Sequence, residues 1–212
     1  MGPLHPVAAV VVGLAGYAIG SVSSGYLVGK IYRNVDLRRV GSGSTGATNT
    51  MRTLGVGAGL LVAGLDILKG VTAVLLADIV FPGGAELRPV AQALAALGAV
   101  AGHCWPAFLE GRGGRGVATG FGALLVIASP AWLVSVAAFM VAIALTRMVS
   151  VGSLAAVAGA VAGYALFTWT GVMPFNAAIL AFILAASAIV TWRHRQNIER
   201  ILRGAEPRLG SR

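Results

Sequence analysis

Charge is scarce in this sequence: Asp, Glu, Lys and Arg make up 11% of its 212 residues, where a soluble domain carries roughly a quarter. Too little polarity is left to cover a water-facing surface, so a soluble globular class is excluded. Cysteine is nearly absent. Cys104 stands alone, which rules out an internal disulfide and a cysteine-cluster metal site. His5, His103 and His194 lie far apart with no spaced carboxylates beside them, so neither a metal centre nor a cofactor is expected. No Gly-Lys-Ser/Thr follows the glycine-rich stretches, which excludes a nucleotide P-loop. Met1-Gly2-Pro3-Leu4-His5 lacks the basic start of a signal peptide, and no small-residue cleavage site follows before Gly20-Ser21. A retained first span is expected. No internal repeat and no soluble segment stands out, so residues 1–212 read as a single polytopic membrane domain.

What the chain has is apolar length. Hydrophobic residues account for 57% of it, and the mean hydropathy is +0.84. Spans are expected at Pro6 to Gly29, Gly55 to Asp78, Pro89 to Leu109, Val149 to Thr170 and Pro174 to Trp192, with a turn at Phe81-Pro82-Gly83-Gly84. Gly116 to Thr146 is an uncharged run of 31 residues, about 46 Å as a helix. That is too long for one crossing of a core about 30 Å thick, and Ser129-Pro130 sits near its middle, so it divides into two helices. The expectation is an all-α integral membrane protein with seven transmembrane helices. Of the 16 Lys and Arg, all but Lys69 and Arg88 then fall on one side. The positive-inside rule puts the N-terminus outside and the C-terminus in the cytoplasm. The net charge of +9 needs no nucleic acid to explain it.

Glycine is abundant, at 30 residues, and it gathers where the arginines are. In the first basic loop Gly41, Gly43 and Gly46 alternate with Ser42, Thr45, Thr48 and Asn49, and Arg52 follows. Such a run can turn backbone N–H groups inward around an anion, with neutral donors and a bidentate arginine beside them. In the third loop Gly113, Gly114 and Gly116 surround Arg112 and Arg115 just ahead of an apolar helix, whose N-terminus also favours an anion. Either loop alone reads equally as a polar connector; two on one membrane face point to phosphate. In the basic tail, His194 and Asn197 share a helix face at i and i+3. Asp66 and Lys69 do the same inside the second span, where charges should pair and face the interior. His103 is either an interior hydrogen-bonded residue or part of the site near the third loop.

These segments, in order, resemble the bacterial acyl-phosphate-dependent glycerol-3-phosphate acyltransferases. The resemblance runs through Gly20–Lys30, Gly41–Arg52, Asp66–Gly70, Gly102–Thr119 and Arg193–Glu206. It implies acyl transfer from acyl phosphate to the 1-hydroxyl of glycerol 3-phosphate, giving lysophosphatidic acid and phosphate, in the first step of phospholipid synthesis. It also implies an inner-membrane site open to lipid on the cytoplasmic face. Carried over by position, Ser42, His194 and Asn197 would orient glycerol 3-phosphate, with His194 or a substrate phosphate oxygen as base. Arg52, Arg115, Ser150 and the glycines Gly41, Gly43, Gly46, Gly113, Gly114 and Gly116 would bind substrate, with Thr48, Asn49, Lys69 and His103 beside them. Ser44 stands where the family usually has Asn, Ser23 where it often has Pro, and Arg112 and Arg115 where it usually has Lys. There is no nucleophile elbow and no His-x4-Asp box of the acyl-CoA type. A transporter of a phosphorylated anion is the rival from another class, but it would want cations along a two-sided path.

Overall fold

The computed structural model describes residues 4–83 and 86–210, with side chains from Pro6 onward. Met1–Pro3, Gly84 of the expected turn and Arg212 of the basic tail lie outside the described residues. Every regular element among those described is helical: α1 Leu4–Ser21, α2 Ser24–Arg33, α3 Ala47–Leu54, α4 Val56–Val80, α5 Arg88–Cys104, α6 Val117–Ile127, α7 Ser129–Thr146, α8 Val149–Trp169, α9 Ala177–Arg193 and α10 Arg195–Leu202, with two short 3-10 turns. Among the described residues, five segments are long and apolar enough to cross a membrane: Pro6–Arg33, Val56–Val80, Arg88–Leu109, Ser129–Thr146 and Val149–Trp169. A sixth is counted if α9 and α10, bent by 58°, make one span.

The chain folds as two compact units, Met1–Ile127 and Ala128–Arg212. In the first, α1 lies against α5 along small residues. A Cβ at Gly16 or Gly20 would strike the backbone of Ala95 or Ala99, and one at Gly98 or Gly102 would strike that of Gly13 or Tyr17. Helices without a hydrophobic drive between them associate through such backbone-to-backbone packing. α4 meets α6 in the same way: Gly70 abuts the Thr119 carbonyl and Gly122 abuts that of Ile67. In the second unit Gly152, Gly159 and Gly163 of α8 face Ile143, Ala138 and Val134 of α7. Much of the glycine surplus is therefore packing surface.

Helix ends follow local chemistry. The Ser23 hydroxyl accepts the Tyr26 N–H to start α2, and Asn34 closes it in the left-handed region. The Asn176 side chain accepts the N–H groups of Ala178 and Ile179 to start α9. The 31-residue apolar run breaks at Ala128, with Pro130 in the first turn of α7. Two departures from the sequence reading matter. The expected second span is preceded by a separate eight-residue helix, α3, divided from α4 by Gly55 at φ 98°. The span expected from Pro89 to Leu109 is present as Arg88–Leu109, but its α-helix ends at Cys104, before Pro106, and Ala107–Leu109 is a 3-10 turn.

Candidate active site

The first basic loop is organised around Asn49, which is 2% exposed. Its Nδ2 donates to the carbonyls of Leu37, Val40 and Ser44, and its Oδ1 accepts the Ser42 N–H at 3.0 Å. With its side chain occupied in this way, Asn49 shapes the loop rather than projecting from it. Gly41 and Gly43 turn the backbone at φ 60° and 70°, and Ser42 is left exposed between them. Gly46 caps α3, which carries half-buried Thr48 in its first turn and exposed Arg52 in its last. Arg38 is committed elsewhere. Its guanidinium pairs with Asp36 at 2.8 Å and lies over the Tyr26 ring. The hydrogen bond from Arg38 pulls the Asp36 carboxyl down to about 2, against an upward push from burial.

The third loop hangs between α5 and α6. The Gly114 N–H donates to the His103 carbonyl at 3.0 Å, and a Cβ at Gly114 would collide with the His103 imidazole. Gly116, at φ 87°, starts α6; Arg115 beside it is half-buried. The two loops touch, since a Cβ at Gly46 would lie 4.0 Å from the Gly114 Cα. Two glycine turns, each leading into a helix N-terminus and each flanked by arginine, thus share one corner of the first unit.

Beneath that corner Asp66, Lys69 and His103 form an interior cluster, all under 9% exposed. Lys69 Nζ lies 2.8 Å from Asp66, donates to the Val22 carbonyl at 3.0 Å and contacts His103 Nδ1 at 3.3 Å. The Gly20 carbonyl stands at 3.4 Å. These residues bond one another, as charges in a membrane helix must.

The second unit holds Ser150, His194 and Asn197, all buried. His194 sits at the bend between α9 and α10. Its Nδ1 lies 2.8 Å from the Val190 carbonyl, so in the neutral ring the proton is on Nδ1 and the lone pair on Nε2. Asn197 donates through Nδ2 to Glu206 at 2.6 Å, which leaves its amide oxygen as the end for another donor. Glu206 also accepts from Arg200 at 2.7 Å. Burial pushes the Glu206 carboxyl up, but the hydrogen bonds from Asn197 and Arg200, with the Ser150 hydroxyl nearby, outweigh it and hold the group below its ordinary value. Sequence reasoning gave Glu206 no role; one of only two acids amid the basic tail, with Glu199, was the available signal.

The glycerol-3-phosphate acyltransferase family profile matches residues 10–204, across both units. A glycerol-3-phosphate acyltransferase of Synechococcus sp. (strain CC9902) is 45% identical over 93% of each chain, and one from Dehalococcoides mccartyi is 40% identical over 94% of each. Two crystal structures of PlsY (YgiH), an integral membrane glycerol 3-phosphate acyltransferase, superpose over 96% of both chains. The glycerol 3-phosphate form gives a TM-score of 0.84 at 33% identity, and the lysophosphatidic acid form 0.82 at 32%. With its helical membrane fold and its two glycine–arginine turns, the chain belongs to the PlsY family of integral-membrane glycerol-3-phosphate acyltransferases.

Proposed function

We propose that this chain transfers an acyl group from acyl phosphate to the 1-hydroxyl of glycerol 3-phosphate. The hydroxyl oxygen bonds to the acyl carbon, the carbon–oxygen bond to phosphate breaks, and phosphate leaves with the electron pair. The products are lysophosphatidic acid and inorganic phosphate. The observation that carries this reading is the contact of the two glycine–arginine turns at Gly46 and Gly114. Both substrates carry phosphate, and a double anion-binding corner suits them.

In this reading Arg52, Arg115 and the N–H groups of Gly41, Gly43, Gly46, Gly113, Gly114 and Gly116 take up phosphate charge, including what develops on the leaving group. Thr48 adds a hydroxyl, and Asn49 holds the first turn in shape. Ser42, Ser150, His194 and Asn197 orient glycerol 3-phosphate, His194 by accepting the hydroxyl proton's hydrogen bond at Nε2. Acyl phosphate is already activated, so a phosphate oxygen suffices as base and no covalent acyl-enzyme is required. We read residues 1–212 as one catalytic domain with seven spans, adding α6 and α9 to the five long segments. The N-terminus lies outside and the site faces the cytoplasm, as the basic loops demand. Family membership favours transfer over transport.

Purified protein given acyl phosphate and glycerol 3-phosphate should release inorganic phosphate and form lysophosphatidic acid, with no turnover of acyl-CoA or acyl carrier protein. Robust turnover with acyl-CoA would overturn the donor assignment. Within 41–50 and 111–116, cysteines introduced at exposed Ser42 and Arg112 should react with an impermeant reagent only from the cytoplasmic side, against a native Cys104 that is buried. Labelling of Arg112→Cys from outside would refute the topology.

A further inference from the structure

The Asp66–Lys69–His103 cluster is built where a direct role on substrate is hard to give it. Lys69 is engaged by one carboxylate, two backbone carbonyls and one imidazole nitrogen. The Nδ1 edge of His103 thus faces Lys69 at 3.3 Å and Asp66 at 3.6 Å, which leaves Nε2 on the far edge of the ring. That Nε2 edge is the part of the ring packed against Gly114, close enough that only glycine fits. The His103 backbone carbonyl meanwhile takes the Gly114 N–H. On the other side of the turn, Gly70, the neighbour of Lys69 in α4, seats the first turn of α6 at Thr119. The Gly113–Gly116 turn is thus located at one end by His103 and at the other by α4, and Lys69 joins the two supports.

We propose that His103, held by Lys69 and Asp66, is a positioning residue for the Gly113–Arg115 turn and acts on the acyltransfer reaction through it, without touching substrate. This rests on the reading of the turn as a phosphate site. Its physical basis is that the turn has no side chain at Gly113 or Gly114 to fix itself, so its place depends on what it packs against. A shift of about 1 Å in a charge-binding group is enough to cost roughly 100-fold.

The test is a double-mutant cycle between His103→Phe and Arg115→Ala in detergent-solubilised protein. It is read by calorimetric binding of inorganic phosphate and by kcat and KM for acyl phosphate and glycerol 3-phosphate. Phe keeps a ring beside Gly114 but gives Lys69 no acceptor. His103→Phe should weaken phosphate binding and lower kcat/KM by about 30- to 100-fold, yet cost less than about 3-fold once Arg115 is gone. His103→Gln, whose amide oxygen can accept from Lys69, should stay within about 5-fold of wild type. Equal losses with and without Arg115, or no loss in the wild-type background, would overturn the proposal. If His103→Phe does not fold, the Gln variant decides: retained phosphate binding supports it, and a loss indifferent to Arg115 refutes it. Phosphate binding needs no acyl donor, so a wrong donor assignment leaves this result standing.

Discussion

Replacing Gly70 by alanine puts a methyl group where α4 and α6 cross. Besides striking the Thr119 carbonyl, that Cβ would lie 2.7 Å from the Ala123 nitrogen. Ordinary contact begins near 3.4 Å, so α6 must retreat by at least about 0.7 Å. Overpacking of this kind costs about 1–3 kcal/mol of stability. The functional cost should be larger in proportion, because α6 opens directly from the Gly113–Gly116 turn. A comparable displacement of a charge-binding group reduces rate by about two orders of magnitude. The assay is phosphate release by purified protein, beside a thermal melt in the same detergent. Gly64→Ala supplies the control: it lies on the same helix, is exposed, and has nothing within 4 Å of its Cβ position. There alanine should raise helix stability by up to about 1 kcal/mol and leave turnover alone. Gly70→Ala with wild-type kcat/KM, or Gly64→Ala with the same loss, would refute the account of how α4 places the turn.

Arg52→Ala and Arg115→Ala should each remove a cation from the phosphate corner and lower turnover by about 30- to 1,000-fold, corresponding to about 2–4 kcal/mol of transition-state stabilisation; kinetics with intact melting curves check this. His194→Ala should raise the KM for glycerol 3-phosphate while the pH–rate profile keeps its shape; a normal KM with collapsed turnover and a flattened profile would make His194 the base instead. Glu206 has a depressed pKa in the folded protein, so it contributes stability above its ordinary value of 4.5 that is lost as pH falls through the folded-state value. Glu206→Gln should lower the melting temperature at neutral pH by roughly 3–12 °C, from about 1.5–3 kcal/mol of charged hydrogen bonding, and flatten the acid limb of stability against pH.

Helix positions were legible wherever charge was absent over a long run, because a membrane leaves the backbone no other way to satisfy itself. The break at Ala128 followed from length and from Ser129-Pro130. The division of α1 from α2 did not, since Ser21 to Ser24 sits inside an uncharged stretch and the bend there is held by Lys69 reaching its carbonyls from another helix. α3 was missed because it is short: its eight residues set Ala47, Met51 and Leu54 at helical spacing, but among Thr48, Asn49, Thr50, Arg52 and Thr53, and Gly55 alone separates them from α4. At the site, residue type pointed to the two turns and their arginines, but it could not sort ligands from scaffolding. Asn49 looks like a donor for phosphate and is engaged by four backbone groups instead. Glu206 looks like tail and orients Asn197. Such roles depend on contacts between residues distant in sequence, which no single-chain pattern records.

The depth at which α5 ends bears on how a lipid substrate is handled. His103 stands fifteen residues beyond Arg88 along that helix, a rise of about 22 Å. In the topology proposed above, with Arg88 set at the outer boundary of a hydrocarbon slab about 30 Å thick, the turn packed on His103 would stop several ångströms short of the inner boundary. α6, at 11 residues, rises only about 16 Å from it. On that placement a recessed turn would let the carbonyl of the proposed acyl donor reach reaction geometry while the tail stays dissolved among its neighbours. Each methylene drawn out into water costs about 0.8 kcal/mol, so meeting the donor at its own level spares extraction of five or so carbons, a penalty of about 4 kcal/mol.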